Sequence, residues 1–198
     1  DTDLRKKAKA EPVQRIRVYW DSSLSRRDDL LDEEIALVKE VATRTTSPNI
    51  DIVSFSAAAP VTSSVATPDA AAEILKAIIY RGGTSFHGLD DINLPDADLC
   101  MLFSDGVPTI QTDSDFQPAC RLMIVTSTRE ANNLRLGMMA RTSRGQLLTL
   151  DKSNRQKIAE QLLKPAVAVV AARSDDGRKL PFRTLSAPDG SWLVVGKA

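Results

Sequence analysis

One histidine in 198 residues, two cysteines, 5% aromatic residues and 26 basic residues cancelled by 26 acidic ones leave few kinds of chemistry open. A disulfide framework or a cysteine metal pair is disfavoured, and a serine hydrolase built from Ser, His87 and an Asp is disfavoured because no Gly-x-Ser-x-Gly elbow exists. The single histidine, His87, sits in a loop stretch and is expected as a surface or rim residue. Charge balance removes any global field to attract nucleic acid or an anionic membrane. The basic pair Arg26-Arg27 is isolated, at a place where a helix would expose it. No apolar run approaches the ~20 residues that span a bilayer, so no direct membrane insertion is expected of this segment. Cys100 falls in an apolar run and Cys120 at the edge of another, and both are expected as core thiols that leave the compartment undecided. The start, Asp1 to Glu11, is polar, with neither an initiator methionine nor a signal-peptide pattern; the chain reads as one domain of something longer.

What is present is an alternation of apolar strands and amphipathic helices. Strands are expected at Arg15–Trp20, Ile50–Phe55, Leu99–Phe103, Arg121–Val125 and Gln146–Leu150, with a short antiparallel edge at Val61–Ala66. Helices are expected at Arg26–Thr45, closed by Ser47-Pro48-Asn49, and at Pro68–Tyr80, Glu130–Arg141 and Asn154–Leu163. This order predicts an α/β fold, with a Rossmann-like, mainly parallel sheet and helices on both faces. Residues 1–14 read as a linker and 15–164 as the domain. Residues 165–198 read as a β meander, with strands at Ala166–Ala172, Leu180–Leu185 and Trp192–Val195 and turns at Asp175-Asp176-Gly177 and Pro188-Asp189-Gly190. The meander is either an extension of the domain or the start of a following one.

Three short segments carry the functional signal: Asp21-Ser22-Ser23-Leu24-Ser25, Gly82-Gly83-Thr84 and Ser104-Asp105-Gly106. The first and third directly follow buried-strand runs, and residues past the carboxyl ends of parallel strands share one crevice. Asp21, Ser23, Ser25, Thr84 and Asp105 would therefore meet. Three hydroxyls and two carboxylates make a hard oxygen site suited to Mg²⁺ or Mn²⁺. Each segment also has a plainer role open to it. Ser25-Arg26-Arg27-Asp28 fits a capping box for the first helix, and the other two fit ordinary turns.

In pattern and order these segments resemble the von Willebrand factor A domain, whose adhesion-type metal site reads Asp-x-Ser-x-Ser, then Thr, then Asp. The resemblance covers residues 15–164. It implies serines that bind the ion directly, a threonine that binds directly or through water, and aspartates, here Asp21 and Asp105, that act largely through bound waters. A partner protein's Glu or Asp then completes the coordination. Where the family commonly has Gly, this chain has Leu24, a position that bears on loop shape. Between Thr84 and Leu99 the family has room for a helix; Gly88 and Pro95 predict a turn or short helix instead.

The strand texture further resembles bacterial proteins that pair this domain with a vault/inter-alpha-trypsin domain, and an extracytoplasmic or cell-surface location is favoured. The expected function is metal-dependent protein binding, without catalysis. The alternative is a structural scaffold with a vestigial site. A Mg²⁺-dependent hydrolase with an aspartyl nucleophile is disfavoured, because such enzymes carry an acid/base Asp where this chain has Ser23. Phe86 is expected at the rim of the site or as a core anchor, and Trp20 in the core or at the strand end. Asp90, Asp91, Asp96 and Asp98 are expected in a solvated acidic loop, and Asp113 and Asp115 in a plain turn.

Overall fold

The structure is a computed structural model that describes residues 12–46, 48–110, 116, 118, 120–164, 172–173, 179–180, 182–186 and 192–196. Pro12–Lys164 forms one compact unit. Its sheet is built from β1 (Arg15–Asp21), β2 (Asn49–Phe55), β3 (Val61–Val65), β4 (Leu99–Phe103), β5 (Leu122–Thr126) and β6 (Gln146–Thr149), in the spatial order β3-β2-β1-β4-β5-β6. All neighbours run parallel except β3, which returns antiparallel along β2. This is the Rossmann-like architecture that the alternation predicts. β4 and β5 are buried throughout and β1 nearly so, as continuous apolar runs such as Leu99-Cys100-Met101-Leu102-Phe103 require when both sheet faces are covered.

The two faces are covered differently. On one lie α1 (Leu31–Thr43), α2 (Pro68–Lys76) and α4 (Arg155–Leu163), whose Leu37, Val38, Val41, Ala71, Leu75, Ile158 and Leu162 pack on Ile16, Val18, Ile50 and Met101. On the other lies α3 (Asn133–Thr142) with Leu136 and Met139, together with Phe86, Leu89 and Phe116 from loops. The 85–95 segment contains turns and no helix. Phe86 is 1% exposed against Phe55, so it is a core anchor that replaces helical cover. Trp20 is likewise in the core and donates its indole N–H to Tyr80 Oη at 2.7 Å.

Several boundaries shift for local reasons. α2 begins where Thr67 Oγ1 accepts from Ala70 N, with Pro68 at its first turn, and it stops at Lys76, four residues before Tyr80. The helix expected from Arg26 is two elements: a 3-10 turn over Leu24–Asp28, then α1 from Leu31. Ser25 therefore does not cap α1; the N-cap is Leu30, whose side chain makes no capping bond and whose N–H donates to Ser127 Oγ at 3.1 Å. Of the residues expected to end this helix, Ser47 lies outside the described residues.

The cysteines are not core thiols. Cys100 and Cys120 form a disulfide across a Cα–Cα distance of 5.9 Å, which the in-register pairing of β4 with β5 makes possible. Asp98 is no bystander in a solvated loop, because it accepts from Gln14 N and Arg15 N, both at 2.8 Å, and holds the start of β1. Asp113 and Asp115, like residues 1–11, lie outside the described residues.

Gly145 shows how tightly α3 returns to the sheet. A Cβ there would lie 1.7 Å from the Leu122 carbonyl oxygen of β5, and backbone cannot yield as a side-chain end can. Gly145→Ala is therefore expected to destabilise the domain by at least about 2 kcal/mol, read as a lower urea midpoint at unchanged slope. A loss below about 0.5 kcal/mol would show that β6 can slide away.

The described residues after 164 belong to a separate unit. They form two antiparallel hairpins, β7 (Ala172–Arg173) with β8 (Lys179–Leu180), and β9 (Phe182–Ser186) with β10 (Trp192–Gly196). Most of the expected first strand at 166–172, and both expected turns, lie outside the described residues.

Candidate functional site

Strand order reverses between β1 and β4: the chain moves from β1 outward through β2 and β3, then crosses to β4 on the other side. Crevices at such switch points, past the carboxyl ends of the strands, are where ligands bind in open α/β sheets. Asp21 ends β1, and Ser104 and Asp105 follow β4. The two ends are tied by Ser104 Oγ donating to Asp21 Oδ2 at 2.7 Å. Asp21 Oδ1 accepts from Ser23 N at 3.0 Å, which folds the chain back into the 3-10 turn. Within that turn Ser23 Oγ and Ser25 Oγ lie 3.1 Å apart.

Thr84 arrives through backbone pairing. Arg81 N donates to Ser22 O at 3.0 Å and Leu24 N to Gly82 O at 2.9 Å, setting the 81–84 segment against the serine turn. Thr109 binds it from the far side: Thr84 N donates to Thr109 Oγ1 at 2.8 Å, and Thr109 N to Thr84 O at 3.2 Å. Asp105 Oδ1 accepts from Val107 N at 2.9 Å, and Asn132 N donates to Asp105 O at 2.8 Å, fixing this loop to the start of α3. Gly106 has φ +70°, and a Cβ there would press on Leu136 at 2.5 Å, so glycine is required for the loop to pass α3. Topology and hydrogen bonding thus bring the three segments to one end of the sheet.

Two features speak to a ligand. Of the two buried hydroxyls with no hydrogen-bond partner among the described residues, Thr84 Oγ1 and Thr126 Oγ1, the first lies on a site loop. Leaving such a group unpaired costs about 1–3 kcal/mol, so an electrophile at that point would satisfy it. Asp21 is fully buried, and that burial pushes its carboxyl above the usual range, opposed by the Arg26 cation and the bonds from Ser104 and Ser23. A positive charge in the crevice would favour its ionised form. The donor set of serines, threonine and aspartates fits a hard divalent cation. It contains only two carboxylates, and among the described residues no group of three or more His, Cys, Asp or Glu could hold a metal.

Behind the serine turn lies a residue that the sequence placed on the surface. Arg26 is fully buried. Its guanidinium pairs with Glu34 Oε2, bonds Asp29 Oδ2 at 2.6 Å, and donates to the carbonyls of Phe103 at 2.7 Å and Asp21 at 3.3 Å. Burial works to lower its proton affinity, but Glu34, Asp21 and Asp29 outweigh it and raise it. The side chain bridges the ends of β1 and β4 with the first turn of α1. Its only sequence signal was position, six residues past a strand and eight before Glu34. His87 is exposed, as expected. Leu24, Val107 and Ile110, each on or beside a site loop, are apolar yet 54%, 39% and 44% exposed. A separate cavity of about 290 Å³ lies at the β2–β3 edge and touches the site loops through Ser22 and Arg81.

No protein-family model and no curated protein sequence matches the chain. Solved structures do. The conserved hypothetical protein BatB from Bacteroides thetaiotaomicron aligns with a TM-score of 0.57 at 13% identity, over 75% of this chain and 96% of that one. The von Willebrand factor type A structure from Catenulispora acidiphila aligns with a TM-score of 0.53 at 15% identity, over 77% of this chain and 41% of that one. The fold is that of a von Willebrand factor A domain. An aerotolerance-related membrane protein from Bacteroides fragilis also aligns, with a TM-score of 0.54 at 13% identity, over 75% of this chain and 98% of that one. None of these three is described as carrying a vault/inter-alpha-trypsin domain. Among the described residues of this von Willebrand factor A fold, no helix is long and apolar enough to cross a membrane.

Proposed function

We propose that residues 15–164 form a divalent-metal-dependent protein-binding module, one domain of a larger protein, for adhesion or assembly. Ser23, Ser25 and Thr84, with Asp21 and Asp105, would hold Mg²⁺ or Mn²⁺. The observation that carries this reading is the Thr84 hydroxyl, buried and without a partner among the described residues, on a segment paired through its backbone with the serine turn. A bound divalent ion supplies an electrophilic centre able to accept a Glu or Asp carboxylate from the partner. The protein's residues set up that centre. Both Asp21 oxygens already accept hydrogen bonds, so this carboxylate orients the serine turn and contributes negative charge. Asp105 has one oxygen engaged by Val107 N and uses the other.

Exposed Leu24, Val107 and Ile110 favour a protein partner over a small polar ligand, since apolar contacts around a buried charge pair exclude water. Ser23 stands where an aspartyl phosphohydrolase needs its acid/base carboxylate, which favours binding over catalysis. The disulfide fits an oxidising, extracytoplasmic setting. Residues 1–14 are then a linker, and 165–198 an extension or the start of a following domain.

Calorimetric titration of Mg²⁺ and Mn²⁺ tests the module directly. Wild type is expected to show one site. Thr84→Val should weaken it at least tenfold while leaving stability equal or slightly higher, because a buried orphan hydroxyl is removed. No saturable binding by the folded wild type up to millimolar metal would leave a structural scaffold with a vestigial site.

A further inference from the structure

The cavity at the β2–β3 edge begins where α2 ends. α2 stops at Lys76, where Ala77 N donates back to the carbonyls of Glu73 and Ile74, and residues 78–81 continue without helix. In the sheet, Ser54 pairs with Val61 and Ile52 with Ser63. Direct partners lie on the same face, and these four residues form one side of the cavity, whose volume is about 290 Å³. Ile74, Ile78 and Ile79 line it from the α2 side. Val61 and Ile79 are 65% and 74% exposed, so part of this apolar lining stands in water.

The polar part of the lining has one sign. Arg81 is its one charged residue, and no carboxylate lines the cavity. Arg81 N donates to Ser22 O at 3.0 Å, which holds this exposed residue beside the serine turn. Among the described residues no carboxylate forms an ion pair with its guanidinium. Ser54 Oγ donates to Ser22 Oγ at 3.2 Å, and Ser22 Oγ donates to Phe55 O at 2.9 Å, so both protons are spent. Ser56 Oγ only accepts, from Ala58 N at 3.4 Å, and keeps its proton for a ligand.

A guanidinium offers parallel N–H groups that match a carboxylate, while the isoleucines offer only apolar contact. An ammonium ligand would meet the Arg81 charge with no carboxylate to receive it. In size, about 290 Å³ at roughly 30 Å³ per water corresponds to about ten non-hydrogen atoms. We propose that this cavity binds an aliphatic carboxylate of about that size, its head on Arg81 and Ser56 and its chain against Ile52, Ile74, Ile78 and Ile79. The proposal is independent of the metal reading, since none of these residues is among the proposed metal ligands.

Octanoate is the probe, added to the whole chain in EDTA so that no divalent ion captures its carboxylate. Amide shifts of Ser56, Ser63, Ile78 and Arg81 are expected to saturate in about the millimolar range, with β5 amides unmoved. Hexanoate, two methylenes shorter, should bind about tenfold more weakly, because each buried methylene contributes about fourfold in affinity. Arg81→Ala should weaken octanoate at least tenfold and leave octan-1-ol unchanged; Arg81→Lys keeps the charge without the fork and should fall between. Ser63→Leu, which narrows the cavity, should weaken octanoate and octan-1-ol alike. No saturable shift in the folded wild type up to about 10 mM octanoate would overturn the proposal. So would octylamine binding as well as octanoate, or an Arg81→Ala affinity within twofold of wild type. Shifts centred on the exposed Leu134 and Met138 of α3 would show non-specific surface contact and overturn it too. Should Ser63→Leu unfold, Arg81→Ala and the chain-length series decide the matter.

Discussion

Arg26→Met is expected to destabilise this domain by about 3–5 kcal/mol, a large share of the roughly 5–15 kcal/mol that holds a domain folded. The guanidinium is fully buried with Glu34 beside it, equally buried, and Asp29 at 2.6 Å. Removing the cation strands Glu34 in a place where burial already pushes its carboxyl above the usual range, with Arg26 the main opposing influence. The carbonyls of Phe103 and Asp21 lose a donor in the same step, and the Trp20 ring loses a cation 5.5 Å from its centre. Arg26→Met with Glu34→Gln should be less damaged than Arg26→Met alone, because no unpaired charge then remains at residue 34, and Gln keeps an oxygen for Ser127 Oγ. Urea denaturation of the two single variants and the pair gives the coupling. A loss under about 1 kcal/mol for Arg26→Met would mean that water reaches Glu34 and that the buried network is not what joins β1, β4 and α1.

Asp21 should separate function from fold. Asp21→Asn keeps the shape and one acceptor oxygen, and it is expected to weaken Mg²⁺ binding at least 100-fold with little change in the unfolding midpoint. Asp21→Ala should lose the metal equally and also cost about 1–3 kcal/mol, because the donors Ser23 N and Ser104 Oγ are left without their acceptor inside the protein. Calorimetry and denaturation on both variants check the split. Wild-type Mg²⁺ affinity in Asp21→Asn would remove this carboxylate from the site, whatever happens to stability. The contrast also shows why Ala is the wrong single probe here: 0% exposure makes Asp21 structural and electrostatic at once.

Much of this was legible in order and periodicity. The run Leu99–Phe103 marks β4 to the residue, because a central parallel strand must be apolar on both faces. Asp21 and Asp105 could be assigned to one end of the sheet because strand alternation places carboxyl ends together, whereas Thr84 follows no strand and is brought there by backbone pairing with the serine turn. The broken 85–95 segment was legible as a missing helix, since Gly88 and Pro95 leave too short a stretch between them.

The misreadings share a cause. Arg26 looked exposed and Ser25 looked like a cap because both were judged against a helix drawn from local pattern. Asp29 and Leu30 instead break that helix, and the freed arginine turns inward to carboxylates and carbonyls from three elements. Cys100 and Cys120 looked like separate core thiols because nothing local says that β5 lies beside β4. Asp98 similarly took its role from a partner more than 80 residues away, Gln14.

The sequence by itself therefore determined the alternation of strands and helices and the mainly parallel direction of the sheet, with Asp21 and Asp105 at strand carboxyl ends. Those follow from the period of apolar residues and from chain direction, both local properties. Only the tertiary structure decided the buried Arg26–Glu34 pair, the Cys100–Cys120 disulfide and the Thr84 hydroxyl without a partner among the described residues. Each of these depends on what another segment supplies across space, and burial and charge are settled by those neighbours, not by the residue itself.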